Sequence, residues 1–339
     1  AEVLSVAGGQ TVMKIGGEVT YNFPGRIAFQ SVPENLMSKP TLVWKLESKL
    51  AKQKVEATYL TQSLNWRSDY VFVINDADSA GDLTGWVTLI NNSGASYKNA
   101  RLKLVAGDVQ RVSDGDDHRR PMGGAARMSA NRERQFAEES FFEYHLYTLS
   151  QPTDVLENEQ KQVTLLEAKN AKVQKKLIYF GQQYWYRGRH GEVQKNQKVG
   201  VYLDVQNTKA NGLGIPLPKG TVRVYKADKS GAKQFIGEDN IDHTPRDEKV
   251  RIKMGEAFDV VGDRKQMEWR TLGTCSSEST WEIELRNHKD QASRVEIFEP
   301  IGGDWTMVES THKHDKKDAH TFTFDVNVPA NGKTKIKYK

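Results

Sequence analysis

The chain has 339 residues, 37% of them hydrophobic and 27% charged, enough for two domains whose cores need no disulfide or metal staple. Lysine and arginine number 49 against 44 acidic residues; so small a surplus over such a length describes a mixed surface and argues against nucleic acid as partner. One cysteine, Cys275, excludes an internal disulfide, a zinc ribbon and a two-cysteine redox motif, and the longest apolar runs, Val71 to Ile74 and Trp86 to Ile90, fall far short of the ~20 residues a membrane helix needs.

The chain opens Ala1-Glu2 and alternates from the start, as expected of a strand in a processed product whose leader lies upstream. Leu102 and Leu104 alternate with Arg101 and Lys103. From Ser113 to Glu139 the sequence turns polar, with Asp114, Asp116 and Asp117, then Gly123-Gly124, and a short helix is expected over Ala125 to Ala137. Leu156 to Leu177 is rich in helix formers, yet Val163 and Leu165 alternate, which predicts two strands meeting near Lys169.

Beyond it, Val199, Val201, Leu203 and Val205 mark one face of a strand. Val222 and Val224 follow, then Trp281, Ile283 and Leu285, then Phe322, Phe324, Val326 and Val328, each set interleaved with polar residues. Turn chemistry separates them: Asn92-Ser93-Gly94, Pro218-Lys219-Gly220, Lys229-Ser230-Gly231, Gly302-Gly303 and Pro329-Ala330-Asn331-Gly332. The last run places lysines at 333, 335, 337 and 339, a pattern that guards an edge strand or forms a plain polar face. The whole predicts an all-β protein of two antiparallel, immunoglobulin-like β-sandwich domains, 1–168 with a polar insertion at 113–139, and 169–339.

Residues suited to chemistry are few. Asp239, Asp242 and His243 lie in an acidic corner that could bind calcium or serve as an acid/base pair, or simply build a turn. His312, His314 and His320, with Asp315 and Asp318 nearby, suit zinc or copper, since residues two apart on a strand share a face, but Lys313, Lys316 and Lys317 would repel a cation, which favours a solvated hairpin loop. Cys275 has no local signature of a reactive thiol. Gly212-Leu213-Gly214-Ile215-Pro216 cannot open a phosphate-binding helix because proline follows, and Asn91-Asn92-Ser93 formally matches a glycosylation acceptor. Tyr184, Trp185, Tyr186, Arg187 and Arg189 are the best candidate binding surface, able to stack on sugars or anchor a protein, or to pack across a hairpin. No cofactor is expected.

The strings Gly-Leu-Gly-Ile-Pro-Leu-Pro-Lys-Gly (212–220), Val-Arg-Val-Tyr-Lys (222–226), Gln-Phe-Ile-Gly-Glu-Asp (234–239), Ile-Asp-His-Thr-Pro (241–245) and Ala-Phe-Asp-Val-Val (257–261) resemble a bacterial family of unknown function. Its domain also forms the C-terminal part of mucoidy-inhibitor-like proteins. The resemblance implies an exported all-β protein of the periplasm, envelope or cell surface, and supplies no catalytic residues. The expected function is non-catalytic contact with other protein subunits, in its sharper form self-association into a surface layer or filament. Binding of surface polysaccharide through Trp185 is the runner-up, and metal-dependent hydrolysis through Asp239, Asp242 and His243 the third reading.

Overall fold

Period-two alternation is realised as strands over most of the computed structural model, which describes residues 2–7, 10–21, 43–50, 52–107 and 136–339. The chain divides into two units, Ala1–Thr58 and Tyr59–Lys339. In the first, β1 (Glu2–Ala7), β2 (Gln10–Ile15) and β3 (Glu18–Tyr21) form an antiparallel meander. Gly16 and Gly17, at φ of 59° and 96°, join β2 to β3 through a backbone conformation that only glycine adopts cheaply.

The second unit holds β4 (Leu64–Ile74), β5 (Ala80–Asn91), β6 (Tyr97–Ala100), β7 (Lys103–Ala106), β8 (Phe136–Phe141), β9 (Tyr144–Leu149), β10 (Thr153–Val155), β11 (Glu159–Phe180), β12 (Gln194–Gln206), β13 (Gly220–Ala227), β14 (Lys233–Ile241), β15 (Lys249–Gly273), β16 (Ser276–Asn287), β17 (Ser293–Pro300), β18 (His314–Asp318), β19 (Thr321–Val328) and β20 (Gly332–Tyr338). Its main sheet runs β14-β13-β4-β5-β11-β12-β15-β16-β20; β17 joins β11 and carries β19, which carries β18. Most pairs are antiparallel, while β13/β4 and β11/β17 are parallel. β7-β9-β8 and β10-β6 are separate small sheets. Among the described residues the helical turns are 3-10, at Gln183–Arg187 and Lys209–Asn211.

Two hydrophobic cores fill this unit. One gathers Tyr70, Phe72, Val87, Leu166, Leu203 and Val224; the other gathers Tyr179, Trp281, Ile283, Val295, Phe324 and Ile336. Full burial of each such side chain contributes roughly 1.5–3 kcal/mol. β11, β12 and β15 serve both: Val173 faces the first core and Leu177 the second, as do Leu203 and Val199, and Ile252 and Val260.

Buried asparagines fix the loops at strand ends. Asn91 and Asn207 are fully buried and Asn287 is nearly so. The Asn91 amide donates to the carbonyls of Ala95, Val155 and Leu156, that of Asn207 to Ile215 and Pro245, and that of Asn287 to Gln291, Val328 and Pro329. Each carbonyl oxygen accepts a nearby backbone N–H, so one side chain satisfies several loop groups that burial would otherwise orphan. Asn91, the formal glycosylation acceptor, is therefore a core tie. The Gly212–Gly220 connection is held likewise: Tyr70 donates to Pro218 O at 2.7 Å and Tyr147 to Pro216 O at 2.8 Å.

Several sequence expectations change. Leu156 to Leu177 does not break into two strands near Lys169. β11 is one strand of 22 residues, paired with β5 up to Lys172 and with β12 from Val173. A bulge between Ala168 and Ala171, with Asn170 at φ 52°, absorbs the irregularity that reads as a boundary, and the expected domain division at 168/169 falls inside this strand. Of the expected insertion, 113–135 lies outside the described residues, including Asp114, Asp116 and Asp117; the end of the expected helix, Phe136 and Ala137, is strand β8 because it pairs with β9. The acidic corner starts later than expected, since Glu238 to Ile241 still pair with β13. His314 lies in a strand, not a loop.

Candidate functional site

The five candidate binding residues do not form one face. Gln183–Arg187 is a 3-10 turn, and its rotation sends neighbouring side chains in different directions. Tyr184 is 55% exposed while Trp185 is 4% exposed. Trp185 and Tyr186 turn inward onto a charged pair, and Arg187 and Arg189 stay at the surface with Tyr184.

That pair is Arg264 of β15 and Glu299 of β17, each with a side chain wholly excluded from solvent. Arg264 grips the carboxylate with both terminal nitrogens, Nη1 donating to Oε2 at 3.0 Å and Nη2 to Oε1. Nη1 also donates to the Tyr338 hydroxyl at 3.1 Å. Tyr186 donates to Glu299 Oε2 at 2.6 Å and lies 2.8 Å from the Tyr338 hydroxyl. The guanidinium stacks 4.4 Å from the Trp185 ring, with the Tyr179 and Trp281 rings at 5.7 Å.

Two glycines make the room: a Cβ on Gly181 would meet Glu299 Oε2 at 2.2 Å, and one on Gly262 would meet the Tyr179 ring at 2.4 Å. Burial works against the Arg264 charge, but Glu299, Tyr338 and Tyr186 outweigh it and hold the guanidinium protonated more firmly than an ordinary arginine. Burial pushes the Tyr186 and Tyr338 hydroxyls up, and that of Tyr179 to about 12, where the Arg264 charge partly opposes it.

This network had a sequence signal. Val260, Gly262, Arg264 and Gln266 share one strand parity, as do Val295, Ile297 and Glu299, so an arginine and a glutamate stand at inward positions of β15 and β17.

The network forms the root of a β arm. β12 accompanies β15 only as far as Arg264, and β20 accompanies β16 only from Trp281. Beyond those points β15 and β16 continue as a two-stranded hairpin, paired from Glu268↔Thr280 to Gly273↔Ser276, with Cys275 exposed at the tip. Gln266 clamps its base, donating to Gly188 O at 3.0 Å and accepting the His190 N–H at 2.7 Å. Met267 is 46% and Leu272 64% exposed on the arm. Arg270 Nε donates to Glu268 Oε1 at 2.7 Å.

Other candidates have structural work. Asp239 Oδ2 accepts the backbone N–H of Lys253, tying β14 to β15. His243 Nδ1 accepts the Lys219 N–H at 3.2 Å, and the Asp242 carbonyl accepts the Thr244 hydroxyl. His312 meets the Thr311 hydroxyl, and His314 packs edge-on against Phe324. No three His, Cys, Asp or Glu side chains among the described residues converge as a metal cluster, so Asp239, Asp242 and His243 are not brought together as ligands, nor are His312 and His314 joined by a third. The final lysines form a solvent-facing ladder, Lys335 and Lys337 reaching Glu282 and Lys335 also Glu284.

No family model, curated protein or solved structure matches the chain. No helix among the described residues is long and apolar enough to cross a membrane.

Proposed function

We propose that the chain is a non-catalytic secreted or cell-envelope protein that acts through protein–protein contact and associates with copies of itself. In this reading its two cores are immunoglobulin-like β-sandwiches welded by shared strands, and their stiffness serves display. The observation that carries the proposal is the arm: a hairpin rooted on a buried ion pair extends past its sheet with edges that pair with no strand among the described residues, and with exposed Met267 and Leu272. The residues with the best chemical credentials support it too, since Trp185, Tyr186 and Asp239 are engaged in packing and in ties between strands. The envelope setting rests on the resemblance of the 212–261 strings to exported bacterial proteins. Sedimentation velocity over a wide concentration range tests the reading. Average mass rises with concentration if it holds, and a strict monomer at the highest concentration overturns it.

Surface polysaccharide is a second reading, favoured by the joint exposure of Tyr184, Arg187 and Arg189 in and beside one turn. A glycan panel titrated against intrinsic fluorescence, with Tyr184→Ala abolishing the response, tests it; no response from any glycan removes it.

A further inference from the structure

Resting on that self-association, we propose that the outer edge of β15 at Glu268–Arg270 pairs antiparallel with the same segment of a second copy, about a twofold axis through Trp269. The segment lies between two bulges, at Gln266/Glu268 and Thr271/Gly273, and is the regular part of the arm's β15 strand. A two-stranded hairpin standing clear of its sheet is only marginally stable in water, and further strands complete it. Homotypic pairing of two arms makes a four-stranded sheet without changing either body.

Charge selects the partner and the direction. Antiparallel pairing about Trp269 sets each Glu268 opposite the second copy's Arg270, twice over, and sets Trp269 against itself as an aromatic cross-strand pair. Parallel pairing in register would place glutamate beside glutamate and arginine beside arginine. The arm's other edge, Ser276 to Thr280, offers only one charge, Glu278, which Lys339 already meets at 2.9 Å and which a twofold axis through that residue would set against itself. Arg270 and Glu268 are already paired within the chain, with side chains 59% and 44% exposed, so the four charges of two copies alternate in sign around the axis without either being drawn from a core. The contact is isologous, and closes as a dimer.

Charge exchange tests this. Glu268→Arg and Arg270→Glu each set like charges opposite one another at both symmetry-related places, and each is expected to weaken association about tenfold or more. The double variant Glu268→Arg/Arg270→Glu restores it. Mixing the two single variants also restores it, as a heterodimer seen by native mass spectrometry, because every opposed pair is then of opposite sign. Both positions are exposed, and an unchanged circular dichroism spectrum confirms the fold. Association of either single variant at wild-type strength, or failure of the mixture to form the heterodimer, overturns the pairing while leaving self-association through another surface standing. A wild-type monomer at every concentration overturns both.

Discussion

Glu299→Gln removes the counter-charge of Arg264 and keeps the side chain's size. An arginine cannot escape by releasing its proton, so the variant holds a full positive charge in a solvent-free site. Breaking a buried pair from one side costs about 3–5 kcal/mol. The lower end applies here, because the Trp185 face at 4.4 Å and the Tyr338 hydroxyl at 3.1 Å still receive the guanidinium. The loss is a large part of the ~5–15 kcal/mol that holds a native domain together. Urea unfolding followed by tryptophan fluorescence reads it directly, since Trp185 and Trp281 both lie against Arg264. Replacing both partners, Arg264→Met with Glu299→Leu, recovers most of the stability, since an apolar pair carries no desolvation cost. A loss below about 1 kcal/mol for Glu299→Gln, or a double variant as weak as the single one, would refute the reasoning.

Trp185→Ala is expected to destabilise by about 3–5 kcal/mol in a thermal or urea melt, whereas Tyr184→Ala next to it stays within about 0.5 kcal/mol. Gly262→Ala drives a methyl group into the Tyr179 ring and costs about 1–3 kcal/mol by the same measurement. Acid sensitivity follows from Asp204 and Asp78. Burial pushes both carboxyls up, but Arg251, Lys249 and Lys176 around Asp204, and Lys175 and Lys226 on Asp78, hold them below the ordinary value of 3.8. A lowered folded-state pKa means their stabilisation is fully present above about 3.8 and lost as pH falls through the lower folded-state values. Melting temperatures from neutral to strongly acid pH should therefore fall most steeply at the acid end, and less steeply for Asp204→Asn.

Strand identity was legible wherever apolar residues kept to one parity: Trp281, Ile283 and Leu285, or Phe322 to Val328, form strands whose alternate residues enter the second core. β11 was harder because its outward positions carry Glu, Gln and Lys, residues that favour helix, and the pairing that overrides propensity comes from β5 and β12, remote in sequence. The aromatic run at 184–186 was legible as a cluster and not as a direction, because a 3-10 turn has no period-two pattern and its inward side is set by Arg264, some eighty positions on. The arm was invisible for the opposite reason. Its residues alternate like those of any hairpin, and only the ends of β12 and β20 reveal that nothing described pairs with its edges.

The claim that this protein works by edge-to-edge contact is tested most directly by amide hydrogen exchange of the arm as concentration is raised. The account predicts that the amides of Glu268 to Arg270 on the outer edge gain protection in step with the rise in mass. Exchange in that segment that is the same in dilute and concentrated samples would contradict it.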